Sequence, residues 1–257
     1  MNEENLVKYY NKFNEDKRLN TKHGQIEFRT AIYYIDKYIK KNDKILDVGA
    51  GTGKYSIYYS TKGYDVTAVE LVKHNLKVIE KNNKDIKCIL GNAIDLSKIP
   101  DNSYDITLLF GPMYHLISYE DKLKALMEAK RVTKKNGYIF ISYCMNEYAV
   151  ITHGFIDNNI ISELDNKRVN KDYKITPKED DLYSFVRLED INKLLSDSGL
   201  KREIILSQDG CTEYIKKSIN KMDDKTLELF FDYHLKTCER HELLGSGRHV
   251  LDILKID

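Results

Sequence analysis

From about residue 44 to residue 143, short apolar runs bounded by turn residues alternate with stretches whose apolar positions recur at helical spacing, the rhythm of a parallel α/β sheet. Strands are predicted at Lys44 to Val48, Asp65 to Val69, Ile86 to Leu90, Tyr104 to Phe110 and Tyr138 to Tyr143. Between them, helices are predicted near Lys54 to Lys62, Lys73 to Asn82 and Tyr119 to Lys134. The last starts at a capping-box-like Ser118 with Asp121 three residues on, and is expected to stop at Asn136-Gly137. A helix at Glu189 to Ser198, a strand at Arg202 to Leu206, two helices within Thr212 to His241 and a strand at His249 to Leu254 follow.

The flanks read differently. Residues 1 to 40 form two predicted helices, one with Leu6, Tyr9, Tyr10 and Phe13 on a face and one with Phe28, Ile32, Ile35 and Ile39 on a face. Residues 145 to 185 are polar and charge-mixed, too long for an ordinary connection, and are expected to form a lid or substrate-binding insertion. The expected division is a helical cover over residues 1–43 and one domain over 44–257 that carries the insertion.

The chain has 257 residues, a size that suits one domain with additions. Lys plus Arg number 41 against 40 Asp plus Glu, so no whole-chain basic field exists and no nucleic acid partner is expected. A mean hydropathy of -0.52, and no apolar run near the roughly 18 residues of a membrane span, predict no membrane association. Met1-Asn2-Glu3-Glu4-Asn5 has neither a basic nor an apolar leader pattern, so a cytoplasmic address is expected. Cysteines at 88, 144, 211 and 238 are too dispersed for C-x-x-C chemistry, and free thiols are expected.

The most informative stretch is Ile45-Leu46-Asp47-Val48-Gly49-Ala50-Gly51-Thr52-Gly53-Lys54. A strand that runs through glycines into a helix lets backbone N–H groups approach a ligand closely. A dinucleotide fingerprint would want glycine where Lys54 stands, and a phosphate-binding Walker loop would want Ser or Thr where Tyr55 stands. The pattern Asp47-x-Gly49-x-Gly51-x-Gly53 instead resembles the loop of class I methyltransferases that bind S-adenosylmethionine.

Further pieces fall in register with that family. Glu70 ends the second strand, where the resemblance implies an acidic side chain accepting both ribose hydroxyls. Gly91-Asn92-Ala93 follows the third strand, where the family reads the adenine amino group, and Asn92 stands in for the commoner Asp. Leu71, Ala93 and Phe110 complete the implied cofactor pocket. Glu128 to Tyr138 resembles the family's helix and turn before strand five, with Lys135-Asn136 in place of Pro-Gly. The resemblance implies a Rossmann-like, seven-stranded, mostly parallel α/β sheet with helices on both faces, and S-adenosyl-L-methionine as cofactor.

For the acceptor, Phe110-Gly111-Pro112-Met113-Tyr114-His115-Leu116 is similar to a Gly-Pro-Leu-Tyr-His-Leu signature of a small-molecule branch. His115 is a candidate general base on a hydroxyl or thiol, with acceptor contact and simple packing as its other readings, and Tyr114 a candidate for orienting the acceptor. The segment lacks the Asn or Asp that opens N-P-P-Y motifs, and no Pro-Cys dipeptide exists for C5-cytosine chemistry. The implied activity is methyl transfer to an O, N or S atom of a small molecule. An RNA or protein side-chain acceptor, or a non-enzymatic S-adenosylmethionine-binding role, is the alternative, and the oligomeric state is left open. His234, Cys238 and His241 share a helix face, but i and i+7 lie roughly 10.5 Å apart along a helix, too far for one ion with bonds near 2.1 Å. No metal site is expected.

Overall fold

The computed structural model describes residues 6, 7 and 19–257. Its centre is Lys44–Val48 (β1), buried at every position after the first, as a strand covered on both faces must be. Parallel neighbours lie on either side. Asp65–Glu70 (β2) and then Lys87–Leu90 (β3) extend the sheet one way, and Tyr104–Leu109 (β4) and then Thr133–Cys144 (β5) extend it the other. Beyond β5 come His249–Lys255 (β7) and, at the edge, Lys201–Ser207 (β6), with β7 antiparallel to both of its neighbours. The expected seven-stranded, mostly parallel sheet is therefore present. Its order, β3-β2-β1-β4-β5-β7-β6, reverses direction between β1 and β4. At such a point the crossovers diverge and leave a crevice at the carboxyl ends of the strands.

Alternation along β1 sends its side chains to two cores. Leu46 and Val48 meet Leu126, Ala129 and Val132 of Tyr119–Val132 (α4) and Ile191 and Leu194 of Leu188–Ser198 (α7). Ile45 meets Ile35 of Lys22–Tyr38 (α1), Tyr59 of Lys54–Thr61 (α2) and Ile79 of Lys73–Asn82 (α3). Thr21 caps α1, accepting the Gly24 N–H at 3.1 Å. The predicted face holds, with Ile32 and Ile35 buried and Phe28 and Ile39 packed beside them. On its other side, Ile26 packs against Ile219 of Lys216–Ile219 (α8) and Leu227 of Asp224–Thr237 (α9), so α1 lies between the sheet and a helical layer. Tyr9, Tyr10 and Phe13 lie outside the described residues.

The helix expected to reach Lys134 ends at Val132, and Asn136-Gly137 is not its stop. Thr133 is already β5, paired with Tyr104, and the register slips before Ile106 pairs with Tyr138. The Thr133 hydroxyl bonds both the Ala129 carbonyl at 2.6 Å and the Thr107 hydroxyl at 2.7 Å, closing the helix directly onto the sheet. Asn136 takes the left-handed conformation inside the resulting bulge. Gly137 is required there, because a Cβ would stand 2.6 Å from the Asp105 carbonyl oxygen. Residues 145–185 are less irregular than their polarity suggests. They contain Asn146–Ala149 (α5), a π-helical turn over Val150–Ile156 and Ile160–Asp165 (α6).

The β6–β7 edge carries a buried ion pair. Arg202 holds Asp252 through two hydrogen bonds of 2.7 and 2.8 Å, and the aspartate is only 1% exposed. Burial raises the Asp252 pKa while the guanidinium lowers it. Arg202→Leu is expected to cost about 3 kcal/mol or more at neutral pH, since it strands a buried charge. The loss should shrink as acid protonates Asp252, which urea titrations at neutral and mildly acidic pH would measure.

Candidate active site

The crevice at the strand switch holds a cavity of about 1140 Å³, counting its open mouth. Its floor is the glycine loop after β1. All three loop glycines have positive φ, at 72°, 55° and 87° for Gly49, Gly51 and Gly53, but each is needed for a different reason. A Cβ on Gly49 would stand 2.6 Å from Cδ of Pro112, so the loop after β4 can close against it. A Cβ on Gly51 would meet none of the described residues within 4 Å, so among them this backbone is bare toward the cavity it lines. Gly53 begins α2 and lies under Ile79, off the cavity wall.

Two buried carboxylates flank the loop. Asp47 accepts the Ser56 hydroxyl at 2.6 Å, and burial pushes its pKa up to about 6. Glu70, at the end of β2, accepts the N–H groups of Gly51 and Val72, each at 2.8 Å. Burial raises its pKa, and those hydrogen bonds with a weaker one from Asn75 pull the other way. Leu71, Asn92, Ala93 and Phe110 also line the cavity. The Asn92 side-chain oxygen accepts the Ile94 N–H at 3.2 Å, which fixes its amide at the cavity rim.

Across the cavity from β2, the chain leaves β4 through Gly111 into a 3-10 turn over Pro112–Tyr114, and both Tyr114 and His115 reach the cavity wall. The His115 ring nitrogen Nδ1 lies 2.8 Å from the Leu182 carbonyl oxygen, an acceptor, so Nδ1 carries the proton and Nε2 the lone pair. Burial pushes the His115 pKa down to about 4, leaving a neutral imidazole at physiological pH. The same strap donates the Ser184 N–H to the Tyr114 carbonyl at 2.7 Å and sets the Tyr183 ring 5.1 Å from His115. Lys122, buried and lowered to about 8 by desolvation, donates to the Leu116 carbonyl and to the Ser184 hydroxyl. Thus Leu182 to Ser184 form the back of the Tyr114–His115 corner, while no residue of 145–185 lines the cavity itself.

Residues 46–141 match the family model described as a methyltransferase domain. A demethylmenaquinone methyltransferase of Paenarthrobacter aurescens (strain TC1) is 39% identical over 105 residues, 40% of each chain. A ribosomal protein L11 methyltransferase of Thermotoga neapolitana is 28% identical over 120 residues, 44% of this chain and 41% of that one. The match to a solved S-adenosylmethionine-dependent methyltransferase from Archaeoglobus fulgidus runs through nearly the whole fold, covering 94% of this chain and 97% of that one at a TM-score of 0.59 and 18% identity. Residues 46–141 form a methyltransferase domain. Sequence matching to the curated relatives spans less than half of their length, so their acceptors stay their own.

Several residues of the cavity wall had no signal in the sequence. Glu27 comes from α1 and Ser142 from β5, each reaching the cavity from an element that reads as ordinary core packing. The Tyr55 ring meets Phe110 edge-on with centroids 4.7 Å apart and lies tilted against Phe28 at 5.0 Å. His234, Cys238 and His241 do not converge. His234 and Cys238 are buried, with Cys238 beside the Tyr34 hydroxyl at 3.3 Å, while His241 is exposed. A different trio, Glu27, Asp209 and His249, does come together, with ligand-capable atoms all within 4.8 Å of one another.

His115 and Asp47, two of the buried titrating groups of the cavity, act oppositely on stability. Below pH 6.5 an unfolded chain protonates His115 while the folded one resists until about 4, so acid destabilises the fold through this residue. Asp47, raised to about 6, takes up its proton earlier in the folded state and stabilises it as pH falls. Comparing wild type with His115→Gln isolates the first effect. The difference in unfolding free energy between them should shift by about 3 kcal/mol from neutral pH to the lower limb of that window, read by urea denaturation.

Proposed function

We propose that the protein transfers a methyl group from S-adenosylmethionine to a nucleophilic atom of a small molecule bound beside Tyr114 and His115. The observation that carries this reading is that one cavity is lined both by Asp47, Gly51 and Glu70 and by Tyr114, His115 and Ser142. The cofactor end suits an adenosine without a phosphate. The bare Gly51 backbone allows close approach, and Glu70, accepting from Gly51, Val72 and more weakly Asn75, is the acidic side chain placed to take a hydroxyl donor. Bound there, S-adenosylmethionine supplies a methyl group activated by a positively charged sulfur.

The chain's own task is to align the acceptor and keep water out. Tyr55 and Phe110 wall the cavity with aromatic surface. With Nδ1 donating to the Leu182 carbonyl, the His115 ring is held in one orientation in the cavity wall, where an acceptor hydroxyl, amine or thiol would meet it. A histidine held at about 4 is a weak base, so its main work is orientation, with proton removal confined to the moment of transfer. The balance of 41 basic and 40 acidic residues supports a small acceptor over an RNA. Among the described residues no helix is long and apolar enough to cross a membrane. The 145–185 segment, which braces His115 from behind, is read as the cover that responds to ligand.

Calorimetry with S-adenosylhomocysteine tests the cofactor end. Glu70→Ala should weaken binding by about 1.5–3 kcal/mol, the range for hydrogen bonds to a charged group, and millimolar wild-type affinity would refute the reading. For the acceptor end, phenols, amines and thiols are screened by release of S-adenosylhomocysteine. With an acceptor in hand, His115→Gln should lower turnover by about 100-fold while leaving S-adenosylhomocysteine affinity unchanged. Hydrogen exchange should show added protection within 145–185 when S-adenosylhomocysteine binds, and identical exchange would remove the cover assignment.

A further inference from the structure

Beside the cavity, three elements far apart in sequence bring one imidazole and two carboxylates into contact. Glu27 comes from α1, Asp209 from the turn after β6 and His249 from the first position of β7, and all three are buried. His249 Nδ1 lies 2.8 Å from Asp209 Oδ2 and 3.5 Å from Glu27 Oε2. Four ligands at bonds of about 2.0–2.1 Å around a tetrahedral ion stand roughly 3.3 Å apart, a separation that these two distances bracket. We propose that Glu27, Asp209 and His249 form a binding site for a zinc-class divalent metal ion.

The supporting framework is rigid. Asp209 uses its second oxygen to accept the His249 backbone N–H at 3.0 Å, and the Gln208 N–H donates to the His249 carbonyl at 2.9 Å. His249 is further held by its ladder pairing with Cys144. Gly247 makes room for the carboxylate, since a Cβ there would stand 2.9 Å from Asp209 Oδ1. The donor set decides the class, because one imidazole nitrogen with two carboxylate oxygens suits borderline ions such as Zn²⁺, whereas Mg²⁺ favours oxygen ligands and keeps its waters.

Three protein ligands leave a fourth position for an exogenous group, the pattern of catalytic and not structural sites. Glu27 is both a ligand and part of the cavity wall, and the His249 ring lies 6.1 Å from the Tyr114 ring. An acceptor hydroxyl or thiol is therefore the class of group that the open position would take. That last step rests on the methyl-transfer reading, whereas ion binding does not.

The test is calorimetry and elemental analysis with Zn²⁺ on tag-free protein at neutral pH, with Mg²⁺ as control. One equivalent of Zn²⁺ is expected with a dissociation constant of about 1 μM or below, and Mg²⁺ should not compete. His249→Gln and Glu27→Gln should each weaken Zn²⁺ binding by about 100-fold or more. Retained affinity for S-adenosylhomocysteine in His249→Gln, whose side chain does not line the cavity, confirms its fold and separates this site from the cofactor end. If either variant does not fold, Co²⁺ added to wild type decides the matter, because it should shift the ring resonances of the histidine bonded to Asp209. No Zn²⁺ bound at about 100 μM, or unchanged affinity in both folded variants, overturns the proposal.

Discussion

The carboxylate of Glu70 ties the glycine loop to the second strand, and the rest of the cavity depends on that tie. A loop with three residues at positive φ has little intrinsic preference for one shape, and hydrogen bonds from Gly51 and Val72 to one buried side chain select it. Asp47, one strand over, accepts from Ser56 at the start of α2 and so holds the helix to which the loop leads. Burial makes both carboxylates costly to ionise, Glu70 adds to that cost at Asp47, and their backbone and hydroxyl donors offset part of it. The loop after β4 can then close onto Gly49, which leaves no room for a side chain between them.

The acceptor end is assembled by the opposite strategy, from pieces distant in sequence. His115 gets its tautomer from Leu182, 67 residues later, and the corner it occupies is fastened by Lys122 and Ser184. A buried lysine is a costly fastener. It persists because its donors are spent on a backbone carbonyl and a hydroxyl that the corner would otherwise leave unsatisfied. The polar insertion thus positions a cavity residue without touching the cavity itself.

Much of this is legible in the linear chain. Strand periodicity, the Asp47-x-Gly49-x-Gly51-x-Gly53 spacing and the acidic residue at the end of β2 are local features, because a parallel strand followed by a phosphate-free nucleoside loop must write its glycines and its carboxylate at set distances. Of the cofactor residues named from the sequence, only Gly53 leaves the cavity wall, since its glycine serves helix packing against Ile79. The misread boundary at Asn136-Gly137 has a local cause as well. An Asn-Gly pair signals a left-handed turn, but not whether that turn ends a helix or bulges a strand.

Sequence alone determined the sheet, the glycine loop and the neutral overall charge, since each rests on periodicity, spacing or composition within a short window. Only the tertiary structure decided that Glu27 belongs to the cavity and joins Asp209 and His249, that His115 is a depressed, Leu182-anchored imidazole, and that His234, Cys238 and His241 do not meet. The reason is physical. Burial, tautomer and charge pairing are properties of the space between elements, and residues 27, 209 and 249 share that space only after α1 and the antiparallel β7 have packed against β5 and β6.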